Sequence, residues 1–327
     1  MKIILTGATG FLGGWLIPEL LNKSFEVVVL RSPKGKISYQ SNSQYFIKKF
    51  SKYCREEVLN LLDYSAVEKI IKEIKPDVVI HMAAVGDITV ARDNPKYTYE
   101  TSSNSTLNLL EAIRLHCPNS LFLSHTTDKV YGNNITPFDE QMKFDPSHIY
   151  SAAKVSQEHL TRIYAESYGV RAATVRCGNY FGGYDFNFSR IVPYVIKSAI
   201  QKNKIQLRSD GTFTRDFLYI KDAVMINFLL MDKMTNSDNP FKYGSAYNFS
   251  LEIELSVIEI VNKLLKLCGS KTEVEIISNA TQETPNMLLD CKKAKKELGW
   301  LPKYTLEQGL NETIEFYSSY FSEKNKS

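Results

Sequence analysis

The chain is poor in the residues that hold metals or build disulfide frameworks. Its 327 residues include only 5 histidines and 5 cysteines. Cys54, Cys117, Cys177, Cys268 and Cys291 are scattered, and no two are close enough for a CxxC metal or redox motif. Such an odd set predicts reduced, structural thiols and a cytoplasmic protein. The histidines do not cluster with cysteines or acids, so no metal site is expected. No apolar run reaches the ~18 residues that cross a bilayer. Met1 leads almost directly into Ile3-Ile4-Leu5 and Gly7, so no secretory leader is expected. Net charge is small: 40 basic against 36 acidic residues leave +4. That balance argues against a nucleic-acid or membrane partner. With 43% hydrophobic and 23% charged residues, disorder is excluded and a full core is expected.

What is present is an alternation. Short runs rich in Val, Ile and Leu occur at Ile3 to Leu5, Val27 to Leu30, Asp77 to His81, Leu121 to Leu123 and Ala172 to Val175. Amphipathic stretches such as Ala66 to Ile74 and Leu107 to His116 lie between them. This pattern predicts βαβ units, a buried parallel sheet and an α/β, doubly wound (Rossmann) fold. After about Cys177 the texture turns polar and aromatic. It returns to strand and helix at Phe217 to Ile220 and Ala223 to Met231, and Ser256 to Leu267 reads as a helix ended by Gly269. The expected division is a dinucleotide domain over 1–178, with returning segments at about 214–250, and a smaller α+β substrate domain over most of 179–327.

Residues 6 to 14 read TGATGFLGG directly after the first strand. Gly7 suits a tight turn that needs positive φ. Gly10 lets backbone approach a pyrophosphate, and Gly13 allows close helix packing. An ordinary glycine-rich turn is the plainer alternative. Pro18 should kink the following helix. The second strand ends in Arg31 rather than an acid. A cation there suits a ribose 2′-phosphate, so NADP is the expected cofactor, with NAD possible. A solvated basic loop is the other reading of Arg31, Lys34 and Lys36. Asn60 and Leu61 fall where the adenine edge should lie, and Ala83 and Ala84 are small enough for close cofactor approach.

Tyr150 and Lys154, in YSAAK, share one face of a helix at i and i+4. A lysine near a phenol favours the phenolate, which can then act as a base. His81 follows a buried strand and reads as structural. His125 neighbours the site but has no assigned role.

Taken together, TGATGFLGG, DVVIHMAA, TTDKVYG, YSAAK and RCGNYFGG resemble the ordered motifs of the extended short-chain dehydrogenases/reductases over nearly the whole chain. TTDK, GGYDFNFSRIVP and NMLLDCKKAKKELGW resemble the sugar-nucleotide 4,6-dehydratases, most closely those acting on CDP-glucose. The resemblance implies a hydro-lyase that retains its cofactor through the cycle. Thr127 would hold the sugar O4, Asp128 would protonate the leaving O6, and Lys129 would act at C5 as base or as a stabilising cation. Thr9, Phe11 and Leu12 would join the glycines at the cofactor, and Asn179, Arg190 and Arg215 would bind the substrate's phosphates. Homodimers formed through Tyr97 to His116 and Tyr150 to Tyr168 are also implied, with Leu107, Leu110 and Leu160 partly buried at the interface. The match departs at Ser102, where the superfamily usually has asparagine, and at Ile149, where proline is common. A UDP-N-acetylglucosamine 4,6-dehydratase, a 4-epimerase, a 4-ketoreductase and a non-catalytic dinucleotide sensor remain as alternatives.

Overall fold

Apolar segments buried on both faces form the centre of the protein. The computed structural model describes residues 1–33, 43–86, 88–236, 241–278 and 284–324. Lys34 and Lys36 lie outside the described residues. The first half runs β1 (Lys2–Thr6), α1 (Phe11–Asn22), β2 (Glu26–Arg31), α2 (Gln44–Ile47), β3 (Arg55–Val58), α3 (Tyr64–Ile74) and β4 (Val78–His81). It continues through α4 (Ile88–Asp93), α5 (Pro95–His116), β5 (Leu121–His125), α6 (Ile149–Tyr168) and β6 (Arg171–Cys177). These strands, with β11 (Ala246–Phe249), form one parallel sheet in the order β11-β6-β5-β4-β1-β2-β3. The expected doubly wound sheet is present.

Alternation along β1 divides the core. Ile3 and Leu5 pack with Leu16, Ile17 and Leu20 of α1, whereas Ile4 packs with Val67, Ile71 and Leu109 on the opposite face. Both faces are therefore covered, as an all-parallel sheet requires. The chain winds outward from β1 to β3 and then returns to β4 on the other side of β1. That reversal opens a crevice at the carboxyl ends of β1 and β4.

The second half adds β7 (Asn179–Phe181), α7 (Ile191–Gln201), β8 (Ile205–Leu207), β9 (Thr214–Arg215), β10 (Phe217–Tyr219) and α8 (Ile220–Thr235). After β11 come β12 (Leu255–Ser256), α9 (Val257–Leu267), β13 (Val274–Ile276) and α10 (Leu306–Lys324). Three two-stranded pairings, β10-β7, β12-β9 and β13-β8, stand beside the main sheet. Ser256 caps α9 with a reciprocal bond to Glu259, and Gly269 follows the helix with φ +59°.

α1 continues through Pro18, where the proline removes one helix bond. α5 begins at Pro95, two residues before Tyr97, and the missing N–H of that proline costs nothing in a first turn. One expectation needs revision. Leu110 is wholly buried in the chain's own core and has no surface to offer a second copy. Leu107 is 38% exposed, and Ile163 on the neighbouring helix is 41% exposed.

Candidate active site

The turn after β1 is built by close approach. Gly7 has φ +71°, and a Cβ there would lie 2.7 Å from the Met82 carbonyl carbon and the Ala83 nitrogen. A Cβ on Gly13 would meet Ala8 Cα at 2.5 Å, so this glycine fits the helix to its own loop. Thr6 Oγ1 accepts from the Met82 and Ala83 amides and contacts His81 Nδ1 at 2.7 Å. Thr6 then donates to Nδ1, and His81 Nε2 bonds Thr106 at 3.0 Å. Burial drives His81 down to about 3, so it is a neutral, structural histidine.

Gly10 is the N-cap of α1 and supplies no side-chain cap. Among the described residues no side-chain cap therefore covers the first-turn amides, at Phe11 and Leu12. Thr9 lies in the same turn. Arg31 ends β2 with its Nε donating to Glu56 Oε1 at 3.0 Å. Glu56 also accepts from Tyr45 at 2.5 Å. Asn60 is exposed just beyond β3, and its side chain accepts from the Leu62 amide. Leu61 is half-buried and gives its carbonyl to Asn108 Nδ2. Ala84 is half-buried beside Ala83.

The other half of the site lies where β5 ends. Thr127 caps a 3-10 turn, Asp128–Tyr131, by accepting from the Lys129 amide. Its hydroxyl donates to Asp128 Oδ1 at 3.0 Å. Lys129 Nζ is 3.5 Å from the same oxygen. Asp128 Oδ2 is buried and has no hydrogen-bond partner. α6 starts close by because His148 and Ser151 form a reciprocal capping box. Tyr150 and Lys154 then sit on one face. Burial and the charge of Asp128 push the Tyr150 phenol up to about 12, whereas Arg190 and a hydrogen bond with Thr127 pull it down. Lys154 donates to the His125 carbonyl at 2.9 Å and to Gln157 at 2.8 Å. Burial lowers it to about 7, and the charge of Glu158 raises it. His125 is buried and neutral, with Nε2 on Asn227 at 2.8 Å.

Lys154 supports a pH prediction. Between about pH 7 and 10.5 the unfolded chain keeps a proton on this lysine that the folded chain has released. Stability of the wild type should therefore rise with pH across that window, relative to Lys154→Met. The bonds to His125 and Gln157 lost in the variant do not titrate there, so the slope isolates the lysine. Thermal melts of both proteins from about pH 7 to about pH 10 check it; parallel curves would count against it.

Residues of the second half complete the site. Arg190, at the start of α7, donates to Asp185 at 3.0 Å and acts electrostatically on Tyr150. Asp185 is held in turn, since its carbonyl accepts from Tyr317 of α10 at 2.5 Å. Phe316 packs on Tyr184 with ring centroids 4.3 Å apart. Asn179 begins β7 and bonds the Asp216 carbonyl. Arg215 lies on β9, donating to the carbonyls of Thr214, Thr284 and Pro285; no contact of its own joins it to Tyr150 or Asp128 among the described residues. Asp216, which the sequence reading did not single out, is wholly buried. Burial, with the charge of Asp128, raises it to about 7. Tyr180 also feels Tyr150 and Asp128. Tyr180 has the one sequence signal of lying in the stretch RCGNYFGG, and Asp216 follows Arg215 directly.

The pattern of the family described as GDP-mannose 4,6 dehydratase matches residues 4–313. The chain belongs to that family. Relatives within reach of this family include a dTDP-glucose 4,6-dehydratase of Haemophilus influenzae, 27% identical over 97% of this chain and 98% of its own length. A dTDP-glucose 4,6-dehydratase of Escherichia coli is 26% identical over 98% and 93%. Among solved structures, UDP-glucose 4-epimerase of Thermotoga maritima superposes with a TM-score of 0.87 at 23% identity, covering 98% of this chain and 100% of that one. A dTDP-glucose 4,6-dehydratase of Streptomyces venezuelae with bound NAD gives 0.86 at 21%, covering 98% of each. Those two likenesses establish the fold.

Proposed function

We propose that the protein is a sugar-nucleotide 4,6-dehydratase that converts an NDP-hexose to the NDP-4-keto-6-deoxyhexose. The observation carrying this reading is the buried Asp128, with one oxygen unpartnered, beside both Lys129 and Tyr150. A 4-epimerase or 4-ketoreductase has no use for such an acid and base. Residues 1–178, with 214–250, would hold the dinucleotide, and most of 179–327 the sugar nucleotide. The uncapped α1 amides and the glycine contacts at Met82 and Ala83 fit a pyrophosphate. The nicotinamide group supplies a reversible hydride acceptor.

Tyr150 would take the O4 proton as hydride leaves C4, aided by Lys154 in its protonated form, which the folded chain keeps up to about pH 7, with Thr127 steering O4. The resulting 4-ketone acidifies the C5 proton. Lys129 would remove that proton while Asp128 gives one to O6, which departs as water. These roles require Asp128 to carry the proton and Lys129 to lack one when C5 is deprotonated, and their 3.5 Å contact puts the two groups side by side. Hydride would then return to C6, and Lys129 would give its proton back to C5. Asn179, Arg190 and Arg215 are proposed on the phosphates.

CDP-glucose is the proposed substrate, on the lysine of TTDK. The curated relatives favour dTDP-glucose as the second reading. Incubation with CDP-, dTDP-, UDP- and GDP-glucose, followed by the alkali-induced absorbance of a 4-keto sugar, decides. No product from any of them would sink the dehydratase reading.

NADP is the proposed cofactor, held through Arg31. Arg31→Asp should swing preference toward NAD by about 1.5–3 kcal/mol, the worth of a charged hydrogen bond. Titrations of both cofactors test this, and a wild type that binds NAD more tightly would refute it. A homodimer is proposed through α5 and α6, with Leu107 and Ile163 rather than Leu110 at the contact. Sedimentation at micromolar concentration should give a dimer; a monomer rules the contact out.

A further inference from the structure

The segment carrying Thr127, Asp128 and Lys129 is tied at both ends to one buried ion pair. Arg176, the penultimate residue of β6, donates to Glu158 Oε2 through Nε at 2.8 Å and Nη2 at 2.6 Å. The two side chains are 5% and 4% exposed. On the near side, Thr126 Oγ1 donates to the other carboxylate oxygen, Oε1, at 2.6 Å. On the far side, Arg176 Nη1 donates to the Tyr131 hydroxyl at 2.6 Å. Tyr131 passes its own proton to Asn248 Oδ1 at 2.8 Å. The guanidinium also lies over the Tyr131 and Phe144 rings, 5.1 and 5.0 Å from their centroids. Glu158 stands one helical turn beyond Lys154 on α6, in the register that places both on the Tyr150 face.

A buried ion pair is a poor device for stability, because desolvation offsets most of its attraction and apolar residues of similar volume serve as well. What this pair supplies is geometry. Its acid comes from the helix of Tyr150 and Lys154, its base from β6, and its remaining bonds go to the two residues that bracket 127–130. We propose that Glu158 and Arg176 are positioning residues, which hold the turn carrying Asp128 and Lys129 at a fixed reach from Tyr150 and so serve water elimination more than hydride transfer. This rests on the dehydratase reading above.

The test uses Thr126→Val and Tyr131→Phe, each of which deletes one hydroxyl and leaves the ion pair intact. Circular dichroism and melting confirm folding first. With the sugar nucleotide found by the substrate screen, initial reduction of bound cofactor should stay within about twofold of wild type. Water loss should slow roughly ten- to a hundredfold, the cost of a small misplacement of reacting groups. Reduced cofactor should therefore stand higher in the steady state, which a purely structural role would not produce. Amide exchange over 126–131 should also quicken about tenfold in both variants. Water loss at the wild-type rate, an equal fall in both steps, or unchanged exchange overturns the proposal. A wild type inert toward every sugar nucleotide would instead sink the dehydratase reading, and the exchange comparison would still judge the clamp.

Discussion

Asp128→Asn should give a protein that reduces its bound cofactor and then stops. On the proposed reading, oxidation at C4 and elimination across C5 and C6 are separable steps, and the site divides its residues between them. Asparagine keeps the shape of the side chain and can still accept the hydroxyl of Thr127, so the turn at Asp128–Tyr131 should persist. It has no proton to give to O6. Losing an acid–base group costs ~10²–10⁴-fold in the step it serves. Rapid mixing with substrate should show reduced-nicotinamide absorbance building up while 4-keto-6-deoxy product falls by that factor. A variant that makes product at the wild-type rate would remove Asp128 as the acid and return an epimerase or reductase to first place.

Tyr150→Phe should fail one step earlier. The half-buried ring keeps its packing and loses only the hydroxyl that faces Thr127. On the same reading, the O4 proton then has no acceptor as hydride leaves. Lys154 cannot substitute, because it is directed at the His125 carbonyl and Gln157. Cofactor reduction itself should fall by ~10²–10⁴-fold, with no reduced species accumulating. Opposite absorbance traces from the two variants would together establish the order of the steps. A reduced species forming at the normal rate in Tyr150→Phe would move the base elsewhere.

Much of the fold was legible because it is written in local pattern. β1, β2, β4, β5 and β6 are Val-, Ile- and Leu-rich runs, and burial on both faces demands that composition. β3 went unread. Its sequence is REEV, an edge strand whose charges form pairs such as Arg55 with Glu57 and Glu73. β11, AYNF, is equally quiet, since Asn248 is buried there for its hydrogen bonds rather than its hydrophobicity. In the site, the glycine turn and the Tyr150–Lys154 spacing are local and could be read directly. Asp216 and the Glu158–Arg176 pair could not. Glu158 and Arg176 meet only when α6 packs back on β6, and Asp216 meets Leu289 only across the folded second half. Leu110 shows the reverse error: an apolar residue on a helix was assigned to a partner when the chain's own sheet had already claimed it.

Ribosomal synthesis runs from the amino terminus, and it meets this architecture in a fixed order. The glycine turn, the Thr127–Lys129 segment and α6 all precede residue 170, the last strand of the main sheet ends at Phe249, and domains fold as units as they emerge. Arg190 comes next, but the loop holding its partner Asp185 is anchored by Tyr317, made well over a hundred residues later. On the proposed reading, the growing chain is first a dinucleotide holder and only afterwards a sugar-nucleotide enzyme. Cofactor is thus free to enter, and to steady the sheet, before the phosphate-binding side has closed over it.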